Sequence, residues 1–191
     1  MKKQANVKIL KQTFKGRKVS QPRHDGSSWG QPGRECEKMV DKDFLPVAAN
    51  SAGCDIPSVG LEIKFRDLDA VSPQTIGSMS IDSIINTPWH QSSMREKFQQ
   101  QRRIYAKKGV IVDDFICDFR DPFIQILAEE AYEILQQQLA AGVRGRYIRA
   151  NSHFYFESKK ESPNIYVLRT GKMKRLEAMA KRNPGIWFGG L

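Results

Sequence analysis

The residues whose types and spacing carry the most chemistry are Asp55, Glu62 and Lys64, in the segment Asp55-Ile-Pro-Ser-Val-Gly-Leu-Glu62-Ile-Lys64. Residues two apart on a strand point to the same face, so Glu62 and Lys64 project together. Asp55 lies just upstream, where a turn through Pro57 can fold it back beside Glu62. Two carboxylates converging in this way can hold a hard divalent cation such as Mg²⁺. Such a cation polarises a phosphodiester and helps generate hydroxide from water. A lysine beside them can orient or deprotonate the attacking water, or neutralise the phosphate. An acid followed by Glu-x-Lys also arises by chance on ordinary exposed strands, where the two residues are merely solvated neighbours. The surrounding chain has to decide between the two.

Val59 to Arg66 reads as the clearest strand, with Val59, Leu61, Ile63 and Phe65 alternating with Gly60, Glu62, Lys64 and Arg66. Upstream, the Gly/Ser/Pro-rich run from Gly26 to Gly33 reads as loop, Arg34 to Val40 as a short helix, and Ala48 to Cys54 as loop again. Downstream, Ser72 to Ile81 suits a partner strand, and Ser92 to Tyr105 has the charge and Gln density of an exposed helix. Gly109 to Phe119 suits a strand in a sheet interior. Asp121-Pro122 is a strong helix start, a carboxylate cap followed by proline, and the helix runs with Ile124, Leu127, Ala131, Leu135 and Leu139 on one stripe until Gly142. Arg146 to Glu157 looks like strand–turn–strand around Asn151-Ser152, and Thr170 to Lys181 like a short basic helix. The expected organisation is a basic N-terminal arm over residues 1–25 followed by a single domain over 26–191. Its expected class is α/β, with a central mixed sheet flanked by helices.

The 191 residues carry a net charge of +10, with a pI near 9.6. Such an excess costs self-repulsion and suggests an anionic partner such as nucleic acid or a membrane surface. No apolar run approaches the ~18–20 residues needed to cross a bilayer, so no membrane partner is expected. Met1-Lys2-Lys3-Gln4 leads into no apolar region, so no signal peptide is expected either. Cys36, Cys54 and Cys117 lack CxxC spacing, and beside only His24, His90 and His153 they argue against a structural zinc site. Thiols in a reducing cytosol are the simplest account, so a cytoplasmic location is expected.

The Asp55–Lys64 pattern resembles the PD-(D/E)xK nuclease superfamily, and further elements narrow the resemblance to its MutH-like branch. That branch has the same six-residue gap between the Asp and the Glu-x-Lys. It also carries a Trp-x-x-Ser-x-x-Arg-x-Lys element, which stands here as Trp89-His-Gln-Ser92-Ser-Met-Arg95-Glu-Lys97. Its upstream Gly-x-x-x-Glu resembles Gly33-Arg-Glu-Cys-Glu37. The resemblance implies a restriction-endonuclease-like fold and a Mg²⁺-dependent endonuclease (Mn²⁺ substituting) that hydrolyses phosphodiester bonds of double-stranded DNA. It assigns metal binding to Asp55 and Glu62, water positioning to Lys64, and supporting roles to Glu37 and Lys97, with Glu35 a rival for the first of these.

Two departures bear on partners. The branch places Arg-Pro-Lys in the hairpin after the long helix for DNA recognition, whereas this chain has Ser158-Lys159-Lys160, so the recognition sequence does not carry over. The sequence stops soon after Trp187-Phe188, without the tail that follows in MutH, which argues against a mismatch-repair partner. Candidate phosphate contacts are Lys15, Arg17, Lys18, Arg95, Arg149, Lys159 and Lys160. Trp187 and Phe188 suit core packing as well as a DNA contact. A double-strand cut needs two active sites or one acting twice, and the motifs fit a monomer or a homodimer. Two other readings stand beside the endonuclease: a basic DNA-binding or packaging protein with structural carboxylates, and a nuclease for branched or RNA-containing substrates.

Overall fold

The computed structural model describes residues 13–21, 30–49, 53–69, 75–170 and 172–182. In chain order its elements begin with α1 (Gln31–Asp43), β1 (Glu62–Asp67), β2 (Gly77–Ser80), α2 (Ile81–Asn86), a 3-10 turn (Trp89–Gln91), α3 (Ser93–Gln99) and β3 (Gln100–Lys107). They continue with β4 (Val110–Asp118), α4 (Pro122–Ala140), β5 (Tyr147–Arg149), β6 (Phe154–Lys159), β7 (Ser162–Thr170), α5 (Met173–Ala180) and β8 (Lys181–Arg182). The protein is mixed α/β, as its element pattern predicts. Its strands form two four-stranded sheets where one central sheet was expected. The chain divides into two compact units, one of residues 1–72, 101–118 and 181–191, the other of residues 73–100 and 119–180.

The first unit holds the mixed sheet, ordered β1-β3-β4-β8. β1 and β3 are parallel, with Glu62 opposite Gln101 and Lys64 opposite Arg103. β3 turns into β4 at Lys108 and Gly109, whose positive φ values of 49° and 73° suit a tight hairpin turn that matches the right-handed twist of its strands. α1 starts with Pro32 in its first turn and lays Cys36 and Val40 into the core against β1. The core of this unit joins Val40, Phe44, Ile63, Ile104 and Ile111 to Phe14 and Val19.

Those last two residues fall within the expected N-terminal arm. Its described part, 13–21, is folded: Lys18 bridges Val110, Gly16 N–H donates to Ile111 at 2.8 Å, and Val19 N–H donates to Gly109 at 2.9 Å. Phe14 supplies the apolar anchor that the surrounding lysines hide in a composition scan. The buried Arg102 guanidinium lies 4.2 Å from its ring centre and 4.7 Å from that of Phe44. Asp114 accepts from Arg102 Nε at 2.9 Å and Nη2 at 2.7 Å, and from the Phe14 N–H at 2.8 Å. The rest of the expected arm lies outside the described residues, as do residues 22–29 and 50–52 of the expected loops, residues 70–74, and Trp187-Phe188.

Two other boundaries move. The strand expected from Val59 begins at Glu62, because Pro57 to Gly60 form a turn. The helix expected over Ser92 to Tyr105 ends at Gln99, and Gln100, Gln101, Arg102 and Arg103 enter β3 fully buried. A polar run there looks solvent-facing in sequence, but Arg102 reaches Asp114 twelve residues on, a pairing outside any local window.

The second unit holds an antiparallel sheet, ordered β2-β7-β6-β5. α4 begins as expected, with Asp121 accepting from the Phe123 and Ile124 N–H groups, and buries Ile124, Ala131, Leu135 and Leu139. Gly142, at φ +81°, closes the helix by donating to Leu139. β7 covers a stretch for which no element was expected, and it carries Pro163 at its second position, where proline is tolerated near a strand's beginning.

Candidate active site

The turn after Asp55 builds the site. Ile56 N–H donates to the Leu61 carbonyl at 2.8 Å and Leu61 N–H donates back at 3.2 Å, an antiparallel bridge. Between them Val59 N–H donates to Ile56 at 3.2 Å, and Gly60 takes the left-handed conformation at φ +64°. One residue outward from the bridge, Asp55 stands across from Glu62, and directly opposed residues share a sheet face. Asp55 Oδ2 accepts a hydrogen bond from the Ile63 N–H at 2.7 Å, fixing the first acid to the strand that carries the second.

Glu62 is only 3% exposed, and Lys64 Nζ donates to its Oε1 at 2.6 Å. Desolvation of a carboxylate is expensive, so the ammonium two residues along the same face compensates it directly. From α1, Glu37 joins the same electrostatic neighbourhood. Burial holds its carboxyl above the ordinary range, the negative charge of Asp55 adds to that, and Lys64 and Arg34 oppose it. Glu35 is committed elsewhere: the Ser20 hydroxyl and N–H both donate to it and hold its carboxyl below the ordinary range. Two positions on a helix differ by about 200°, so only one of the two glutamates can face the acids. That one is Glu37.

The donor set of Asp55 and Glu62 is all oxygen, suited to a hard cation. Among the described residues no three His, Cys, Asp or Glu side chains are grouped as a metal cage. Mg²⁺ commonly takes one or two protein carboxylates and completes its shell with water and phosphate, so two acids fit that ion. Asp55 Oδ2 accepts from the Ile63 N–H and Glu62 Oε1 from Lys64 Nζ, so both carboxylates are held in place by hydrogen bonds from β1.

The strand register adds two residues that the sequence concealed. Gln101 and Arg103 stand beside Glu62 and Lys64 on the parallel neighbour β3 and share their face. Arg103 is fully buried, so it makes no direct approach to a solvent-borne substrate. The only sequence signal for either residue was the four-residue polar run, whose charge and Gln density read as part of an exposed helix.

Lys97 lies in the second unit, on α3. The element around it has a structural explanation for two of its residues. Ser92 caps α3 by accepting from the Arg95 N–H at 3.1 Å, and its hydroxyl donates to the Trp89 carbonyl at 2.8 Å. Trp89 is buried, with its ring 5.4 Å from that of Tyr132. Of the candidate phosphate contacts, Lys15, Arg17 and Lys18 are exposed in the first unit, where Arg17 also pairs with Asp43. Arg149, Lys159 and Lys160 are exposed in the second unit, and Arg95 there is half-buried. Cys36, Cys54 and Cys117 are all buried, and burial pushes the Cys36 thiol up to about 12.

No protein-family model matches this sequence, and comparison with curated proteins gives no match. The functional reading therefore rests on the residues themselves.

Proposed function

We propose that the first unit carries a divalent-cation-dependent centre that hydrolyses phosphodiester bonds of DNA, built on Asp55, Glu62 and Lys64 with Glu37 in support. One observation carries the reading: the Asp55 carboxylate is hydrogen-bonded to the backbone of the strand that presents Glu62 and Lys64, in a chain of net charge +10. Asp55 and Glu62 offer carboxylate oxygens from facing positions of one tight turn. Lys64 holds the Glu62 carboxylate and puts an ammonium where phosphate charge develops during attack. Glu37, whose carboxyl has a raised affinity for a proton, would support the two acids as a proton acceptor. A divalent cation at the two acids supplies Lewis-acid polarisation of the phosphodiester and acidifies the attacking water. The restriction-endonuclease-like arrangement expected from the resemblance belongs to the same proposal.

The test is cleavage of duplex DNA with Mg²⁺ and with chelator, for the native protein and for Glu62→Ala and Lys64→Ala. Cutting that needs Mg²⁺ and is lost in both variants is expected. Undiminished cutting by both variants overturns the assignment. A second reading is favoured by the Lys64–Glu62 pair, which satisfies one acid with no cation. It makes the protein a DNA-binding module with structural carboxylates, and predicts binding that weakens steeply with salt and ignores both metal and these substitutions.

A further inference from the structure

In the second unit, the β5–β6 ladder pairs Tyr147 with Glu157, Ile148 with Phe156, and Arg149 with Tyr155. Ile148, Phe154 and Phe156 are buried, so the alternating Tyr147, Arg149 and Tyr155 share the opposite face. β7 extends the row by placing Arg169 opposite Tyr155. An aromatic ring is thereby flanked, in register, by an arginine on each neighbouring strand. A cleft of about 550 Å³ opens here, lined by Tyr147, Arg149, Phe154, Tyr155 and the turn from Asn151 to His153. That volume lies within the ~300–1,000 Å³ of small-molecule sites.

Tyr147 is 56% exposed, with the Arg146 guanidinium 5.2 Å from its ring centre. The two tyrosine ring centres are 6.4 Å apart with planes at 48°, so neither ring covers the other's face. Positive charge surrounds them. Arg149, Lys172 and Arg175 are exposed, and Glu157 is drawn off by Arg169 at 3.2 Å. The Ser152 hydroxyl lies 2.9 Å from His153 Nδ1 and fixes that ring at the cleft. Burial, then Lys172 and Arg175, depress the imidazole's proton affinity, so it meets a ligand as a neutral hydrogen-bonding group. Asn151 is spent on the fold, donating to Leu127 at 2.7 Å and accepting from the His153 and Phe154 N–H groups.

We propose that this cleft binds an unpaired nucleobase of a DNA strand. The base stacks on Tyr147 and Tyr155 while Arg149, Lys172 and Arg175 meet its flanking phosphates. A planar, partly polar group carrying anionic neighbours is the ligand that exposed aromatic rings set among cations recognise. Two sources offer that chemistry, a single strand and a base displaced from a damaged duplex. The proposal uses no residue of the Asp55–Lys64 centre and stands without it.

The test uses the full chain in chelator, where no metal-dependent cutting intrudes. It follows quenching of a fluorescent base analogue placed in a short single-stranded DNA, in an intact duplex, and in a duplex opposite an abasic site. Quenching is expected in the single strand, and absent in the intact duplex; the abasic arm reports whether displaced bases are also taken. Tyr147→Ala is expected to weaken binding about tenfold, and Tyr147→Phe, which keeps the ring, to bind like the native protein. Arg149→Ala is expected to lower the salt slope by about one. Circular dichroism verifies that these surface variants fold. Native-like binding by Tyr147→Ala, equal losses in Tyr147→Ala and Tyr147→Phe, or tighter binding to the intact duplex overturns the proposal.

Discussion

Asp55 Oδ2 accepts the Ile63 N–H at 2.7 Å, so one acid is locked by the backbone of a residue lying between two others of the site, Glu62 and Lys64. This single bond gives Asp55 a structural duty in addition to any chemistry, and substitutions can separate the two. Asp55→Asn keeps an acceptor for Ile63 and is expected to melt near the native temperature while losing Mg²⁺-dependent cleavage. Asp55→Leu removes the acceptor as well and is expected to lose a further ~1–3 kcal/mol of stability. Equal melting of the two variants in thermal denaturation argues against the bond as a structural support.

The Lys64–Glu62 pair sets up a test in which the cation itself is the readout. Lys64→Met removes the ammonium that donates to the buried Glu62 carboxylate, and the expected destabilisation is on the order of 3 kcal/mol. A divalent cation that binds there replaces the lost ammonium. Mg²⁺ is therefore expected to raise the melting temperature of Lys64→Met more than that of the native protein, as ligand linkage requires. An equal response of the two proteins to Mg²⁺ removes the cation from the site.

Glu37 predicts a pH signature. Burial and the neighbouring Asp55 hold its carboxyl above the ordinary range, so the folded state binds its proton more tightly than the unfolded chain does. The resulting stabilisation is complete at pH below the ordinary glutamate value and is lost as pH rises through the raised one. Glu37→Gln is accordingly expected to raise the melting temperature at pH 7 relative to the native protein, with the advantage fading toward acid pH. The same variant is expected to cleave DNA about 10–100-fold more slowly, as for other groups supporting a metal site. A melting advantage that persists unchanged in acid contradicts the charge-based explanation.

Arg102 and Asp114 form the buried ion pair that ties residues 13–21 to the sheet. Removing one partner leaves a buried charge, so Asp114→Ala is expected to cost about 3–5 kcal/mol. Hydrogen exchange reads the local consequence: the Phe14 amide, which donates to Asp114, is expected to lose protection ahead of Ile63. Loss of protection at both amides together would show that the segment and the sheet open as one unit.

What the sequence made legible follows the range of the interactions involved. The turn that brings the chain back from Asp55 to Glu62 could be read from Pro57, within the motif, whereas Gly60, which takes the left-handed conformation in that turn, reads in sequence as part of the strand. The start of α4 was legible for the same reason, since Asp121 caps a helix that begins one residue later. The role of Phe14 was hidden because its partners are Arg102 and Asp114, about ninety and one hundred residues away. Gln100 to Arg103 were misread for a related reason. Their burial depends on parallel pairing of β3 with β1, which leaves no mark in the local polarity pattern. Gln101 and Arg103 beside the candidate site were lost with it. No strand was expected over β7, whose start includes Pro163 and Asn164, two residues with low strand propensity.

The bridge between Ile56 and Leu61 also turns the interval between Asp55 and Glu62 into a ruler. Once four residues close the turn, the acids outside it must stand face to face, and a one-residue insertion or deletion sends one of them to the opposite side of the ribbon. The six-residue gap is thus a solution to a folding problem that any chain pairing two acids across such a turn must solve. Unrelated lineages can arrive at it separately. The spacing reports geometry before it reports ancestry.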